Sequence, residues 1–371
     1  MIKLFVFPPD FSEYHEVLYR SLQAEEHYNA VGKITLVVEA TDYNIEHLQK
    51  DAFLYWTESE QAFWIRRVSP STKDNTITVN GYTTNALLNK RVFSVLTEAD
   101  STLYFAPIDY TGLLTSDGAD FILGSVENSV ESQIYANIEN NLRGLSNIEF
   151  APIKNLDRAY NGGLEHGQIL DEVIQYLNLT PFGQRMKFEH RNKKHVFEIY
   201  EGRDLTEGSR AVRFSEEQGT AKNLVIDIDE SLFKNVCYVQ GKKNDENESI
   251  VTVVVGDAEG DDRFEFWMEQ EFTQEQDETD DAFLERLETE GLKEIAKREP
   301  VTNFSVVIDS SELGKAYKLG DKVTCVSKRF GVKFNSRITG VKFVQDPNIK
   351  TVSLVLGNPT IDIIREIKLW R

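Results

Sequence analysis

The sequence predicts an α+β, β-rich protein in which a strand-rich stretch, a helical stretch and a second strand-rich stretch follow one another. Three observations predict it. The first 95 or so residues and the last third mix β-branched and aromatic residues with turn residues at short intervals. The middle changes to a helical period. The 371 residues are 40% apolar and include 22 Phe, 14 Tyr and 4 Trp, enough for real cores and far too aromatic for a disordered chain. The length suggests two or three domains, with boundaries expected at 1–95, 96–225 and 226–371 and a helical insertion at about 257–299 in the last.

In chain order, 32–39 alternates into a buried run, and 62–68 and 75–82 follow with a turn at 70–74. Such a group reads as a barrel or sandwich. A short helix is expected at 44–49 and a helical turn at 84–91. In 128–143, Val130, Ile134, Ile138 and Leu142 recur every fourth residue with Tyr135 beside them, one apolar helix face. Asn128 with Glu131 resembles a capping box, and Gly144 is a good stop. A second helix is expected from Leu164 to Asn178 through Ile169, Leu170, Val173, Ile174 and Leu177, ending before Pro181. Strands at 185–190 and 195–200 then form a hairpin through Asn192-Lys193-Lys194.

The last third resumes with strands at 234–239 and 249–255 around a polar loop at 242–247, and 263–267 alternates strictly. One helix interrupts. Thr279 is its N-cap, Asp280 and Asp281 lie in its first turn, and Lys293, Lys297 and Arg298 lie in its last, complementing the dipole at both ends. Phe283, Leu284, Leu287, Leu292 and Ile295 are read as its apolar face. Strands return at 304–308, 322–326, 334–344 and 351–356.

The charge excludes some functions. Against 61 Asp and Glu stand 41 Lys and Arg, a net charge of −20. A sequence-independent nucleic-acid clamp and an anionic membrane surface both want the opposite balance. Between Gly256 and Glu299 there are 17 acidic and 5 basic residues, so most of the excess sits in one stretch. The apolar opening at 1–7 is stopped by Pro8-Pro9, and no small-residue cleavage site follows, so no secretion signal is expected. No apolar run approaches the roughly 20 residues of a membrane span.

Constellations that carry chemistry are sparse. There is no Gly-x-Ser-x-Gly elbow, Walker loop, dinucleotide glycine fingerprint or His-Glu-x-x-His. Cys237 and Cys325 each sit in a β-like run, read as small buried residues; a disulfide between them is not implied, and neither opens a helix that would stabilise a thiolate. His190 and His195 flank the expected hairpin with Glu189 and Glu198 nearby, but alternation splits these between faces, and a surface hairpin is the reading. Asp257, Glu259 and Asp261 have the spacing that opens an EF-hand loop, yet Asp262 stands where the turn needs Gly and Met268 where a bidentate Glu belongs. Tyr55, Trp56, Phe63 and Trp64 could line a sugar groove, but in a strand-rich domain they read as core. No catalytic, cofactor-binding or metal-binding residue is assigned.

Several segments together resemble the tail-hub (baseplate-hub) proteins of long-tailed, siphovirus phages, the family that includes the N-terminal hub regions of tail-associated lysins. Thr76-Ile77-Thr78-Val79-Asn80-Gly81 followed by Leu87-Leu88-Asn89-Lys90-Arg91 is similar to that family's strand, Gly, then Leu-Leu-x-x-Arg step. Asn137 to Leu142 before Arg143-Gly144-Leu145 resembles its middle helix. Phe197 to Thr206, with Gly202-Arg203-Asp204, resembles its x-Gly-Arg-Asp strand, and Phe214-Ser215 with Asn223-Leu224 follows in place. Asn235 to Gly241 resembles its Asn-x-x-x-Val-x-Gly strand. At the end come Leu319-Gly320-Asp321, Arg337-Ile338-Thr339-Gly340 and Leu354-Val355-Leu356-Gly357. Each motif is common; their order along nearly the whole chain is specific. The loop 219–224 departs by being longer than the compact Gly-Asn-Leu of the family. In plain structural terms Gly81, Gly202, Gly241 and Gly320 are expected to supply turns or bulges at strand ends, and Asp321 to accept hydrogen bonds from turn amides.

The resemblance implies two β-barrel domains plus mixed α/β domains, a phage tail-hub architecture assembled as a homotrimer. Two barrels per chain give six per trimer, able to match a hexameric distal-tail ring. It implies a virion structural protein of the tail tip that closes the tube, opens for genome ejection and takes part in host attachment. Expected partners are itself, the distal-tail ring, the tail tube or tape-measure protein, and receptor-binding or fibre components; DNA would transit without specific binding. It implies no enzyme and no cofactor, location in the virion, and assembly in the host cytoplasm. Since only 361–371 follow the last motif closely, an appended hydrolase is not expected. A carboxylate-lined lumen would suit DNA passage, because it repels phosphates. The alternatives are a cell-wall hydrolase, a carbohydrate-binding module, or the hub of a contractile injection system.

Overall fold

Alternation builds the N-terminal strands. The structure, a computed structural model, describes residues 2–57, 59–93, 126–138, 143–154, 156, 167–178, 180–244, 249–268, 270–276, 278–298, 301–308, 312–329, 332–348 and 350–357. The first strands are β1 (Leu4–Phe7), β2 (His15–Val17), β3 (Ser21–His27), β4 (Lys33–Glu39), β5 (Phe53–Trp56), β6 (Phe63–Ser71) and β7 (Thr76–Thr83). In β4, Ile34, Leu36 and Val38 are buried while Lys33 and Glu39 face water, the period of two that one covered sheet face demands. A short helix α1 (Asp42–His47) is capped by Thr41, which accepts from the Asn44 amide at 3.2 Å. A 3₁₀ turn, Thr84–Lys90, closes the set.

A middle layer follows. It contains α2 (Val126–Ile138), β8 (Ile148–Phe150), α3 (Ile169–Leu177), β9 (Gly183–Glu189) and β10 (Lys194–Tyr200). Its three strands run in the order β8-β10-β9. Val130, Ile134 and Ile138 of α2 pack with Leu170, Val173 and Leu177 of α3, with Phe197 of β10, and with Val31 and Leu88 from the N-terminal set.

The remaining strands are β11 (Arg213–Ser215), β12 (Lys222–Asp229), β13 (Val236–Lys242), β14 (Ile250–Val255), β15 (Glu265–Trp267), β16 (Phe272–Thr273), β17 (Val301–Ile308), β18 (Lys322–Ser327), β19 (Val332–Gln345) and β20 (Lys350–Leu356). Strands β13 to β16 form a small sheet backed on one face by α4 (Asp280–Ala296). As the residues require, Thr279 caps α4 by accepting from the Ala282 amide at 3.3 Å.

All other strands belong to one 13-stranded sheet. Its main path is β12-β17-β20-β19-β3-β4-β7-β6-β5-β1-β2, with β18 pairing β19 and β11 pairing β18. The 14-residue β19 is the spine. Its first part pairs with β18, its last part pairs with β3, and β20 runs along it past a bulge between Ile338 and Gly340. The sheet rolls over a shared core. Trp56 on β5 meets Phe343 on β19 edge to face at 5.5 Å, although four strands lie between them on the path. The Ile2 amide donates to Gln345 Oε1 at 3.1 Å. Among the described residues the hydrogen-bonded path itself stays open, from β2 to β12.

The β-rich α+β architecture is the one expected, with corrections. The first short helix starts at Asp42, not at 44. The described middle helix runs from Val126, which puts Asn128 inside it instead of at its cap. The expected positions at 139–142, including Leu142, lie outside the described residues, as do the helix start at 164–166, the loop residues 245–247 and the tail 361–371. In α4, Phe283 and Leu287 are buried as read, but Leu284 and Leu292 are 36% and 37% exposed. Trp56, Phe63 and Trp64 lie in the core, so no sugar groove forms from them. Cys237 and Cys325 are buried, unpaired thiols in separate core clusters.

Candidate functional site

Two motifs 118 positions apart meet at one joint. Beyond β10 the chain passes Gly202, whose backbone lies against Gly320. A Cβ at Gly202 would stand 1.8 Å from the Gly320 carbonyl oxygen. Gly320 itself has φ +95° and faces the Tyr28 ring, so the turn requires glycine. The next residues close a latch. Asp321 Oδ1 accepts from the Arg203 amide at 2.8 Å and from Arg203 Nε at 3.2 Å. Its Oδ2 accepts from Arg203 Nη2 at 2.6 Å and from the Lys318 amide at 2.8 Å. Asp204 forms a parallel bridge with Lys322, and its carboxylate accepts from the Thr206 amide and hydroxyl.

The rest of the ending motif gathers around the latch. Arg337 Nη1 donates to the Gly320 carbonyl at 2.6 Å, and the guanidinium sits 4.9 Å from the centre of the Tyr28 ring. The Gly357 amide donates to the Arg337 carbonyl at 3.0 Å. Tyr28 was not singled out by the sequence. Its hydroxyl lies within hydrogen-bond distance of the Pro181 and Tyr200 carbonyls, and its ring meets Tyr200 edge to face at 5.1 Å. An isolated Tyr between β3 and β4 carries no pattern, and only the fold brings it to the joint.

A second joint uses the arginines of the earlier motifs. Arg91 Nε donates to the Arg143 carbonyl at 2.6 Å and Nη2 donates to the Gly144 carbonyl at 3.2 Å. In return Arg143 donates to the Val92 carbonyl and to Asn137 Oδ1. The segment before α2 and the helix's far end are thereby tied together. On the small sheet, Asn235 Oδ1 accepts from the Phe264 amide and its Nδ2 donates to the Asp262 carbonyl, each at 2.8 Å. Gly81 sits across from the bulge between Ile65 and Arg67 of β6, as expected of a strand glycine, and Gly241 is the penultimate residue of β13. Both lie within strands, where Trp64 backbone and the Phe283 ring of α4, respectively, approach within 2.5 Å of where a Cβ would stand.

Charges cluster beside the first joint. Glu198, 3% exposed, receives Lys154, Lys187 Nζ at 2.6 Å and Arg185 Nε at 2.8 Å. Arg185 also reaches Glu60, which holds Lys318 Nζ at 3.0 Å. Burial raises the Glu198 carboxyl, but the hydrogen bonds from its three cations win and hold it at about 2.

The hairpin of β9 and β10 forms as read, but it is not a surface hairpin. His195 is 1% exposed, enclosed by Phe11, Phe53 and Phe188. Burial pulls its imidazole down to about 3. Alternation is blind to the layer that Phe11 and Phe53 bring over this face. Asp257, Glu259 and Asp261 are exposed. No group of three or more His, Cys, Asp or Glu side chains suited to a metal occurs among the described residues. Burial pushes the Cys237 and Cys325 thiols up to about 11 and about 12, so neither supplies a thiolate.

One buried acid has a measurable consequence. Glu26, on β3 beside the β19 seam, is 8% exposed, and Ser59 Oγ donates to it at 2.5 Å. Burial raises its carboxyl to about 7. A carboxyl raised on folding contributes fully below pH about 4.5 and loses that contribution as pH climbs towards 7. The shift corresponds to at most about 3 kcal/mol. Urea midpoints of Glu26→Gln should therefore lose the decline the parent shows between pH 5 and 8; equal slopes in both proteins would contradict the assignment.

The joints and the spine strand define a layered, β-rich fold. Solved structures that share it include the following three. Prophage tail protein gp18 from Listeria monocytogenes EGD-e is 17% identical, with a TM-score of 0.52 over 99% of this chain and 97% of that one. The tail protein from Neisseria meningitidis MC58 is 9% identical, with a TM-score of 0.54 over 96% and 97%. The 43 kDa tail protein of prophage MuSo2 from Shewanella oneidensis is 11% identical, with a TM-score of 0.56 over 96% and 98%. The chain belongs to the Siphovirus ReqiPepy6 Gp37-like protein family, whose model matches residues 3–358. A siphovirus protein family thus meets, in this chain, a fold also seen in solved prophage tail proteins. No protein among the curated ones matches it.

Proposed function

We propose that this protein is the structural hub of a siphovirus tail tip: a homotrimer that closes the tail tube, docks on a hexameric distal-tail ring and opens for DNA passage, without enzymatic activity. The observation that carries the reading is β19, which joins an N-terminal and a C-terminal strand set into one rolled sheet. Two strand sets in one rigidly joined chain become six in a trimer, the number a six-fold ring needs. On this reading 1–95 and 226–371 supply the two ring-facing units and 96–225 braces them. The motif residues support it because the structure spends them on backbone and side-chain latches between segments. The protein works in the virion tail and is assembled in the host cytoplasm, and the tail tube, tape-measure and fibre components are its further neighbours.

Light scattering on the purified chain, alone and with a distal-tail ring protein, tests this. The expected mass is three times the 42.5 kDa of one chain, and one ring is expected to take up one trimer. A monomer under every condition, with or without the ring, would contradict it. Zymography on host peptidoglycan should show no clearing; clearing would favour the hydrolase.

A further inference from the structure

On this strongly acidic chain one cleft is cationic. It lies over β11, β18 and the start of β19, has a volume of about 260 Å³, and is lined by Arg213, Ser215, Glu217, Val326, Lys328 and Lys333. Ser215, Val326 and Lys333 are register partners across the three strands, so they share its floor. The one carboxylate present, Glu217, is held by neutral donors, the Ser215 hydroxyl at 2.6 Å and the Lys328 amide at 2.8 Å. Among the described residues the side-chain charges of Arg213, Lys328 and Lys333 have no ion pair.

The complementary surface is on α4. Asp281, Leu284, Glu285, Glu288 and Leu292 fall at spacings that make one helical stripe, and all five are exposed. Among the described residues the three carboxylates have no ion pair. From Asp281 to Glu288 the stripe spans roughly 10 Å, about two strand spacings, the width of the three-stranded floor. In its own chain α4 packs on β13 and β14 through its opposite face. The stripe is left to a neighbour.

We infer that the acidic stripe of α4 in one copy seats in the cationic cleft over β11, β18 and β19 of the next, and that this head-to-tail contact builds the ring. It rests on the trimer reading and names its interface. Three carboxylates meet three cations, while Leu284 and Leu292 lie against the apolar floor at Val326, a helix-in-groove contact. Cleft and stripe are different surfaces, so the contact is heterologous and repeats around a ring until it closes.

Charge exchange on the full chain tests it. Lys328→Glu with Lys333→Glu, and separately Glu285→Lys with Glu288→Lys, should each raise the concentration for half-assembly at least about tenfold at physiological salt. All four positions are exposed, so folding is not at stake. Combining all four substitutions should restore assembly. Double variants that assemble like the parent, or a quadruple variant that fails to recover, would overturn the interface. If the parent is a trimer and the variants are too, the interface alone fails; if the parent is a monomer, the trimer reading fails with it. A cleft variant that changes stability without changing mass would mean that the cleft is filled from within its own chain, which also overturns the proposal.

Discussion

Gly202→Ala should destabilise the protein by at least about 3 kcal/mol, seen as a large fall in the urea midpoint. The new methyl would lie 1.8 Å from the Gly320 oxygen, 2.1 Å from its carbonyl carbon and 2.7 Å from the Asp321 nitrogen. All three atoms are backbone, and all three are fixed. The Gly320 carbonyl accepts from Arg337, its amide donates to the Ile338 carbonyl at 2.8 Å, and Asp321 is latched to Arg203. Relief therefore requires the two chain segments to part. Gly208→Ala is the control. That residue has φ +81° but nothing within 4 Å of its would-be Cβ, so only backbone strain of about 1 kcal/mol is expected. Similar losses at both sites would mean that the joint is not closely packed.

Asp321→Ala should cost about 3 kcal/mol, and the pattern among neighbours carries the argument. Asp321 is 2% exposed. Removing its carboxylate strands the amides of Arg203 and Lys318, each costing about 1–3 kcal/mol when left without an acceptor. The Arg203 side chain is 46% exposed, so water recovers much of its charge. Arg203→Ala should thus cost only about 1 kcal/mol, since the amides still hold the carboxylate. Asp321→Asn should fall between, because its single carbonyl oxygen replaces part of the acceptor set. Thermal or urea unfolding of the three variants gives the order. Equal losses for Arg203→Ala and Asp321→Ala would shift the weight from the amide turn to the ion pair.

These joints explain what the sequence could and could not reveal. Strong alternation over 32–39 and 75–82, the Thr279 cap and the strands after 300 are local signals, and they are where the structure has β4, β7, α4 and β17 to β20. Strands β1, β2 and β5 are three or four residues long, too short for a period to register. β3 carries the adjacent acids Glu25 and Glu26, which interrupt its apolar alternation; the first is held by Lys342 at 2.8 Å and the second by Ser59, and neither partner is a sequence neighbour. The motif residues were legible as a set, but their meeting was not. Nothing local in Gly202-Arg203-Asp204 indicates Gly320-Asp321. Leu284 and Leu292 read as core because spacing cannot say which side of an apolar arc is covered. The clustered negative charge between Gly256 and Glu299 now has, in part, a use: three of its carboxylates form the stripe of α4.

An image of the assembled protein tests the trimeric hub most directly. Negative-stain class averages of the purified oligomer should show three-fold rings with six peripheral lobes, able to stack on a six-fold distal-tail ring. Averages showing only monomers, two-fold dimers or open filaments would contradict it.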